Sequence, residues 1–178
     1  TKFVIAVHYL AESIESHFGN GSDLGIQIEY LRESEPLGTA GALSLLITKP
    51  ALPFIVSNAD LVSSVHLGAI VDFHNEQQSD ATMAVQNFEL QNPFGVVEVS
   101  NGDIVSIIEK PVSVSKISGG IYVLDPQMLD LLEPGKYCDM PELFRRAINA
   151  SMEVKAFMIH EEWADIGRES DLIKIQNK

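Results

Sequence analysis

Short apolar runs rich in β-branched residues alternate along this chain with stretches whose apolar residues recur every three or four positions. That alternation limits the fold more than any other feature. "FVIAV", "IQIEYL", "FIVS" and "ATMAV" read as strands. "YLAESIESHF", with Leu10, Ile14 and Phe18 at helical spacing, "TAGALSLLI" and "LGAIVDFHNEQ" read as the helices between them. Strand starts one βα unit apart predict parallel strands joined by crossover helices. The second half changes character. "GVVEVSNGDIVSIIEK" holds two apolar runs about Asn101-Gly102, the pair that favours a two-residue hairpin. "ISGGIYVL" and "VKAFMI" follow as strands, and "MPELFRRAINA" and "ESDLIKIQN" as helices. The expectation is one α/β domain over residues 1–178, a doubly wound, Rossmann-like sheet, mixed but mainly parallel.

Composition narrows the partners. Apolar residues make up 46% of the 178 and charged ones 21%, enough to bury a globular core. No apolar run is long enough to span a membrane. "TKFVIAVHYL" lacks a small-residue cleavage pattern and reads as a core strand rather than a signal peptide. A single cysteine, Cys138, rules out an internal disulfide framework and points to a reducing, cytoplasmic setting. A net charge of −13 argues against nucleic acid, whose phosphates demand clustered Lys and Arg. A small phosphate ligand stays compatible, given a few local cations or a metal ion.

In a sheet of this kind, ligands sit beyond the carboxyl ends of the strands. "PFIVSNADLV" runs an apolar strand into Asn58 and Asp60. Two readings compete there: a strand-ending turn, which Asn and Asp favour, or a carboxylate presented to Mg²⁺. "EWADIG" repeats the pattern with Asp165 before Gly167. Glu109 and Lys110 end another strand, locked by Pro111. They read either as a solvated terminus or as groups that take a hydroxylated, phosphorylated ligand. Gly38 joins a strand to a helix, where backbone N–H groups are placed to meet an anion or a base edge. His8 and Tyr9 end a strand and either approach a ligand or divide between core and solvent. His66, His74 and His160 lack metal spacing and read as surface or helix-face residues. Glu161 and Glu162 diverge as neighbours, Cys138 has no partner for nucleophilic chemistry, and Arg145 and Arg146 read as a solvated helix face.

In order, "HYLAESIESHFGNGSDLGIQIEYLRESEPLGTAGAL", "PFIVSNADL", "FGVVEV", "IIEKP", "SGGIYVL" and "EWADIGRESDL" resemble the sugar-1-phosphate nucleotidyltransferases over essentially the whole chain. The resemblance implies joining of a nucleoside triphosphate to a sugar 1-phosphate with release of pyrophosphate. It implies Mg²⁺ on Asp60 and Asp165, and contact with the nucleotide base at Gly38 and Thr39. Gly95 and Glu109 then meet the sugar, Lys110 its phosphate, and Gly120 the wall of the sugar pocket. Asp60, Lys110 and Asp165 are the expected catalytic residues. The implied reaction is in-line attack by the sugar phosphate on the α-phosphorus, which needs positioning and charge neutralisation rather than a general base.

Three departures from the family pattern bear on this. Ala59 replaces the usual glycine before Asp60, and Arg168 stands where many members have Thr, as in a subgroup fused to regulatory modules. The family's glycine-rich phosphate loop with its Arg has no counterpart, because the chain begins in what corresponds to the second strand. "GNGSDLG" follows a helix and reads as a cap and turn. The expectation is therefore a fragment of a longer enzyme, inactive in transfer by itself and prone to self-association as a homo-oligomer. Guanylyl transfer to a mannose-type phosphate is preferred on overall likeness. The alternatives are a non-catalytic regulatory relative, which loss of Asp60 or Asp165 would have favoured, and a nucleotide-sugar-dependent glycosyltransferase, which calls for a D-x-D pair where this chain has Asn58-Ala59-Asp60.

Overall fold

The strands fall where β-branched runs are interrupted by turn residues, in a computed structural model that describes residues 1–166. The expected helix "ESDLIKIQN", Gly167 and Arg168 lie outside the described residues. Strands β1 (Lys2–Val7) and β2 (Gln27–Arg32) pair in parallel, joined by helix α1 (Ala11–Phe18). Gly19 ends α1 at φ 53°, its N–H bonded to the Glu15 carbonyl, which is the glycine cap read from the sequence. Salt-bridged Arg32 and Glu15 pin α1 to β2, and the ion pair holds the Glu15 carboxyl below its ordinary range.

The central sheet has the order β3 (Phe54–Ser57), β8 (Val112–Leu124), β5 (Ala81–Gln91), β9 (Val154–Met158). One side carries helix α3 (Leu67–Glu76), whose Ile70 packs with Ala84, Ile121, Val123 and Ile159. A second cluster gathers Met128, Met140, Leu143 and Phe144, from a 3₁₀ turn and helix α4 (Met140–Asn149), around Tyr122 and Leu124. Helix α4 owes its place to its sequence. Pro141 lies in the first turn, and Met140, Leu143, Phe144 and Ala147 form one buried stripe.

The mixed α/β class is as expected, with fewer parallel ladders than a mainly parallel sheet would have. Among the described residues, β1–β2 and β5–β9 are parallel, whereas β8 runs antiparallel to both β3 and β5. Strand β8 follows the hairpin of β6 (Val96–Ser100) and β7 (Asp103–Ile108) instead of a crossover helix, so it returns along β5. The hairpin turns at Asn101 and Gly102, with φ 52° and 92°, the positive angles that this pair was expected to supply. Strands β5 and β8 are both longer than their apolar runs, and their far halves project with the hairpin as an exposed arm.

His74 is a helix-face residue, one of the two readings its sequence left open, whereas Arg146 departs from its sequence reading. His74 is on the buried face of α3, only 2% exposed, and its Nδ1 lies 2.9 Å from Thr82 Oγ1. Burial holds its pKa below the ordinary histidine value. Arg146 is not a solvated residue. It bonds Glu142 and donates to the Leu131 carbonyl at 2.9 Å, tying α4 to the preceding 3₁₀ turn. Arg145 is exposed, as expected.

Candidate active site

Two short strands bring the carboxylates onto neighbouring backbones. The chain leaves β3 at Asn58, whose N–H bonds the Gly120 carbonyl at 2.9 Å, and re-enters a strand as β4 (Leu61–Ser63). Antiparallel to β4 lies β10 (Trp163–Asp165), with Asp165 opposite Leu61. The Ile166 N–H then donates to the Asp60 carbonyl at 2.7 Å. Asp60 and Asp165 are both exposed at this junction.

A cleft of about 370 Å³ opens beside it, lined by Asn58, Leu61, Ser118, Gly120, Tyr122, Trp163 and Asp165 together with Thr39, Asp139 and Pro141. Gly120 faces the cleft because β8 bulges. Ser118 pairs with Val85 and Tyr122 with Met83, leaving three residues of β8 opposite Ala84 alone. Gly120 takes φ 69°, and a Cβ there would lie 2.9 Å from Leu61 Cδ1 and 3.1 Å from Asn58 Nδ2. Trp163 braces the bulge by donating Nε1–H to the Gly119 carbonyl at 2.7 Å. The Tyr122 hydroxyl, raised in pKa by burial, meets Ser118 Oγ at 2.9 Å.

Gly38 and Thr39 open the four-residue helix α2 (Gly38–Gly41), which continues as a 3₁₀ turn rather than the long helix expected over "TAGALSLLI". The reason is tertiary. The Thr39 N–H donates to Asp139 Oδ1 at 3.2 Å, and those of Ala40 and Gly41 both donate to the Cys138 carbonyl at 2.9 Å. These helix-start donors, read from sequence as available to a ligand, are therefore taken by the protein itself. Asp139 is held by the Tyr137 hydroxyl at 2.6 Å, and that bond, then the Thr39 N–H, keeps its carboxyl below the ordinary range.

Of the expected site residues, Thr39, Gly120 and Asp165 line the cleft. Gly38 abuts it, and Asp60 lies in the chain between the lining residues Asn58 and Leu61. Gly95, Glu109 and Lys110 form a separate group at the base of the β6–β7 hairpin. A Cβ on Gly95 would lie 2.9 Å from Glu109 Oε2, and Lys110 takes φ 46°. These three do not line the cleft. His8 bonds the Glu33 carbonyl, Tyr9 is exposed, and His66 caps α3, all without a part in the cleft. Asn58, Ser118, Tyr122 and Asp139 were not read as site residues. Asp139 carried only the helix-start signal of an Asp two residues before a proline.

The donor set suits a hard cation that takes one or two protein carboxylates and fills its shell with water and phosphate oxygens. Among the described residues, no three His, Cys, Asp or Glu side chains converge as an all-protein metal cage would require.

The model of the nucleotidyl transferase family matches residues 1–178. The mannose-1-phosphate guanyltransferase beta-A of Xenopus laevis is 33% identical over 181 residues, covering 97% of this chain and 50% of the relative. The mannose-1-phosphate guanyltransferase of Schizosaccharomyces pombe is 31% identical over 182 residues, with the same coverage. The chain thus spans about half the length of the curated relatives it matches. Among solved structures, HddC from Yersinia pseudotuberculosis shares the fold at a TM-score of 0.68 and 21% identity, over 99% of this chain and 79% of that one. With the family matched along its whole length, the chain belongs to the nucleotidyl transferases, in the sugar-1-phosphate nucleotidyltransferase family.

Proposed function

We propose that the protein transfers a nucleotidyl group from a nucleoside triphosphate to a sugar 1-phosphate, with guanylyl transfer to a mannose-type phosphate as the specific reaction. The observation that carries this reading is the β4–β10 junction, which sets Asp60 and Asp165 on adjoining backbones at the mouth of a cleft lined by Thr39 and Gly120. Likeness to the guanylyltransferases of frog and yeast supports the choice of base and sugar.

On this reading Asp60 and Asp165 hold Mg²⁺, which supplies positive charge to the reacting phosphates when bound. Gly38 and Thr39 orient the base, and Gly120 keeps the cleft wall free of a side chain. Glu109 accepts from the sugar hydroxyls beside Gly95, and Lys110 neutralises the acceptor phosphate as a point charge. An ionised phosphate attacks without a general base, and among the described residues no histidine lines the cleft.

The full-length natural protein is incubated with Mg²⁺, each nucleoside triphosphate and a panel of sugar 1-phosphates while pyrophosphate release is followed. GTP with mannose 1-phosphate is expected to be fastest. Preference for another pair would reassign the substrates, and release with none would refute transfer.

A further inference from the structure

Two loops about a hundred residues apart exchange their helix caps across the cleft wall. Asp139 has the backbone of an N-cap, φ −86° and ψ 155°, yet its carboxylate makes no bond to the first turn of α4. It reaches instead to the Thr39 N–H at 3.2 Å, at the start of α2. Thr39 Oγ1 in return accepts the Met140 N–H at 2.8 Å, the first residue of α4. An Asp at this position ordinarily caps its own helix. The exchange ties the two helix starts into one unit, and both Thr39 and Asp139 line the cleft.

The exchange leaves little freedom at Gly38. A Cβ there would lie 2.7 Å from Asp139 Oδ1 and 2.8 Å from the Cys138 carbonyl oxygen. Tyr137 sets the rotamer of the carboxylate through its second oxygen, at 2.6 Å, so the chain 137–139 acts as a jig against which Gly38 and Thr39 are placed.

We propose that Asp139, oriented by Tyr137, is a positioning residue that sets the nucleotide side of the cleft by fixing the Thr39 backbone. The proposal rests on the assignment of Gly38 and Thr39 to the base under the proposed function. Asp139 acts through Thr39 and need not touch the ligand. Its removal therefore weakens the nucleoside triphosphate selectively and leaves the sugar 1-phosphate alone.

The experiment compares Asp139→Ala, Asp139→Asn and Tyr137→Phe with wild type in the full-length natural protein, reading KM for each substrate, GTP affinity by calorimetry, and Tm. Asp139→Ala is expected to raise KM and Kd for GTP about tenfold, the scale of one lost charge-assisted hydrogen bond. KM for the sugar 1-phosphate is expected to stay unchanged. Asp139→Asn keeps an acceptor for Thr39 and is expected to restore most of the GTP affinity. Equal rises in both KM values, or a lowered Tm with GTP affinity unchanged, would overturn the proposal. Should Asp139→Ala fail to fold, Tyr137→Phe decides, because Tyr137 is 62% exposed and its hydroxyl can be removed without opening the core. Unchanged GTP affinity in that variant overturns the proposal. Wild-type protein that binds GTP yet transfers it to no sugar 1-phosphate refutes the proposed function alone, and the variants' GTP affinities still decide the role of Asp139. Wild-type protein that binds no nucleotide overturns both.

Discussion

The Asp60 carbonyl accepts the Ile166 N–H at 2.7 Å, which places Asp165 and Asp60 on chains that cannot separate without breaking the β4–β10 ladder. Both carboxylates are exposed, and Asp→Asn keeps the shape of each side chain while removing its charge. Asp60→Asn and Asp165→Asn are each expected to lower pyrophosphate release at least about 100-fold, as when a group aimed at developing charge is lost, with Tm measured alongside to separate chemistry from folding. Calorimetric titration with Mg²⁺ gives a second readout, and unaltered Mg²⁺ affinity in both variants would remove these residues from the metal site.

Lys110 lies at the base of the arm, outside the cleft lining. If it meets only the acceptor, Lys110→Ala raises KM for the sugar 1-phosphate by about tenfold or more, with KM for the triphosphate little changed. Steady-state kinetics with each substrate varied in turn decides this. Equal effects would assign Lys110 to the nucleotide.

Gly120 combines φ 69° with contacts on both sides of a prospective Cβ. Gly120→Ala is expected to cost about 1–2 kcal/mol from the left-handed backbone alone, and more if Leu61 and Asn58 cannot yield. Chemical denaturation measures the loss. A variant as stable as wild type would show that the bulge can relax into an ordinary strand.

His74 gives the fold a pH response. Burial lowers its pKa in the native state, so it stays neutral there while the unfolded chain takes up a proton below about pH 6.5. The unfolded state then binds more protons, and stability falls as pH drops through and below that value. Thermal melts of wild type and His74→Gln between pH 8 and 5 should show a steeper decline for wild type, because glutamine keeps a polar partner for Thr82 and does not titrate. Parallel slopes would place the titrating group elsewhere.

Local chemistry was legible where a residue's neighbours in sequence decide its conformation. The Asn101-Gly102 turn, the Gly19 cap and the strand that stops at Asn58 are of this kind. Features set by distant partners were not legible. "TAGALSLLI" has the composition of a helix, but its first N–H groups are drawn to Cys138 and Asp139, so α2 is cut short. Nothing around His74 announces that Thr82 will meet it inside the core. The far halves of β5 and β8 leave little trace in the sequence, because their residues are paired across a ladder while staying exposed. The order of motifs along the chain marks Asp60 and Asp165 as candidates, whereas Asp139 carries only an ordinary helix-start pattern.

Strand β8 is exposed from Val112 to Lys116 and fully buried from Gly119 to Leu124, with the bulge near the change. Its buried end carries the core, and its exposed end carries the arm with Glu109 and Lys110 at its root. Substitutions on the arm therefore draw little on the free energy that keeps the chain folded. If the arm reads the acceptor, the range of sugars accepted can drift through successive mutations while the sheet beneath stays above its stability threshold. The bulge thus divides a part of the molecule open to evolutionary change from a part that resists it.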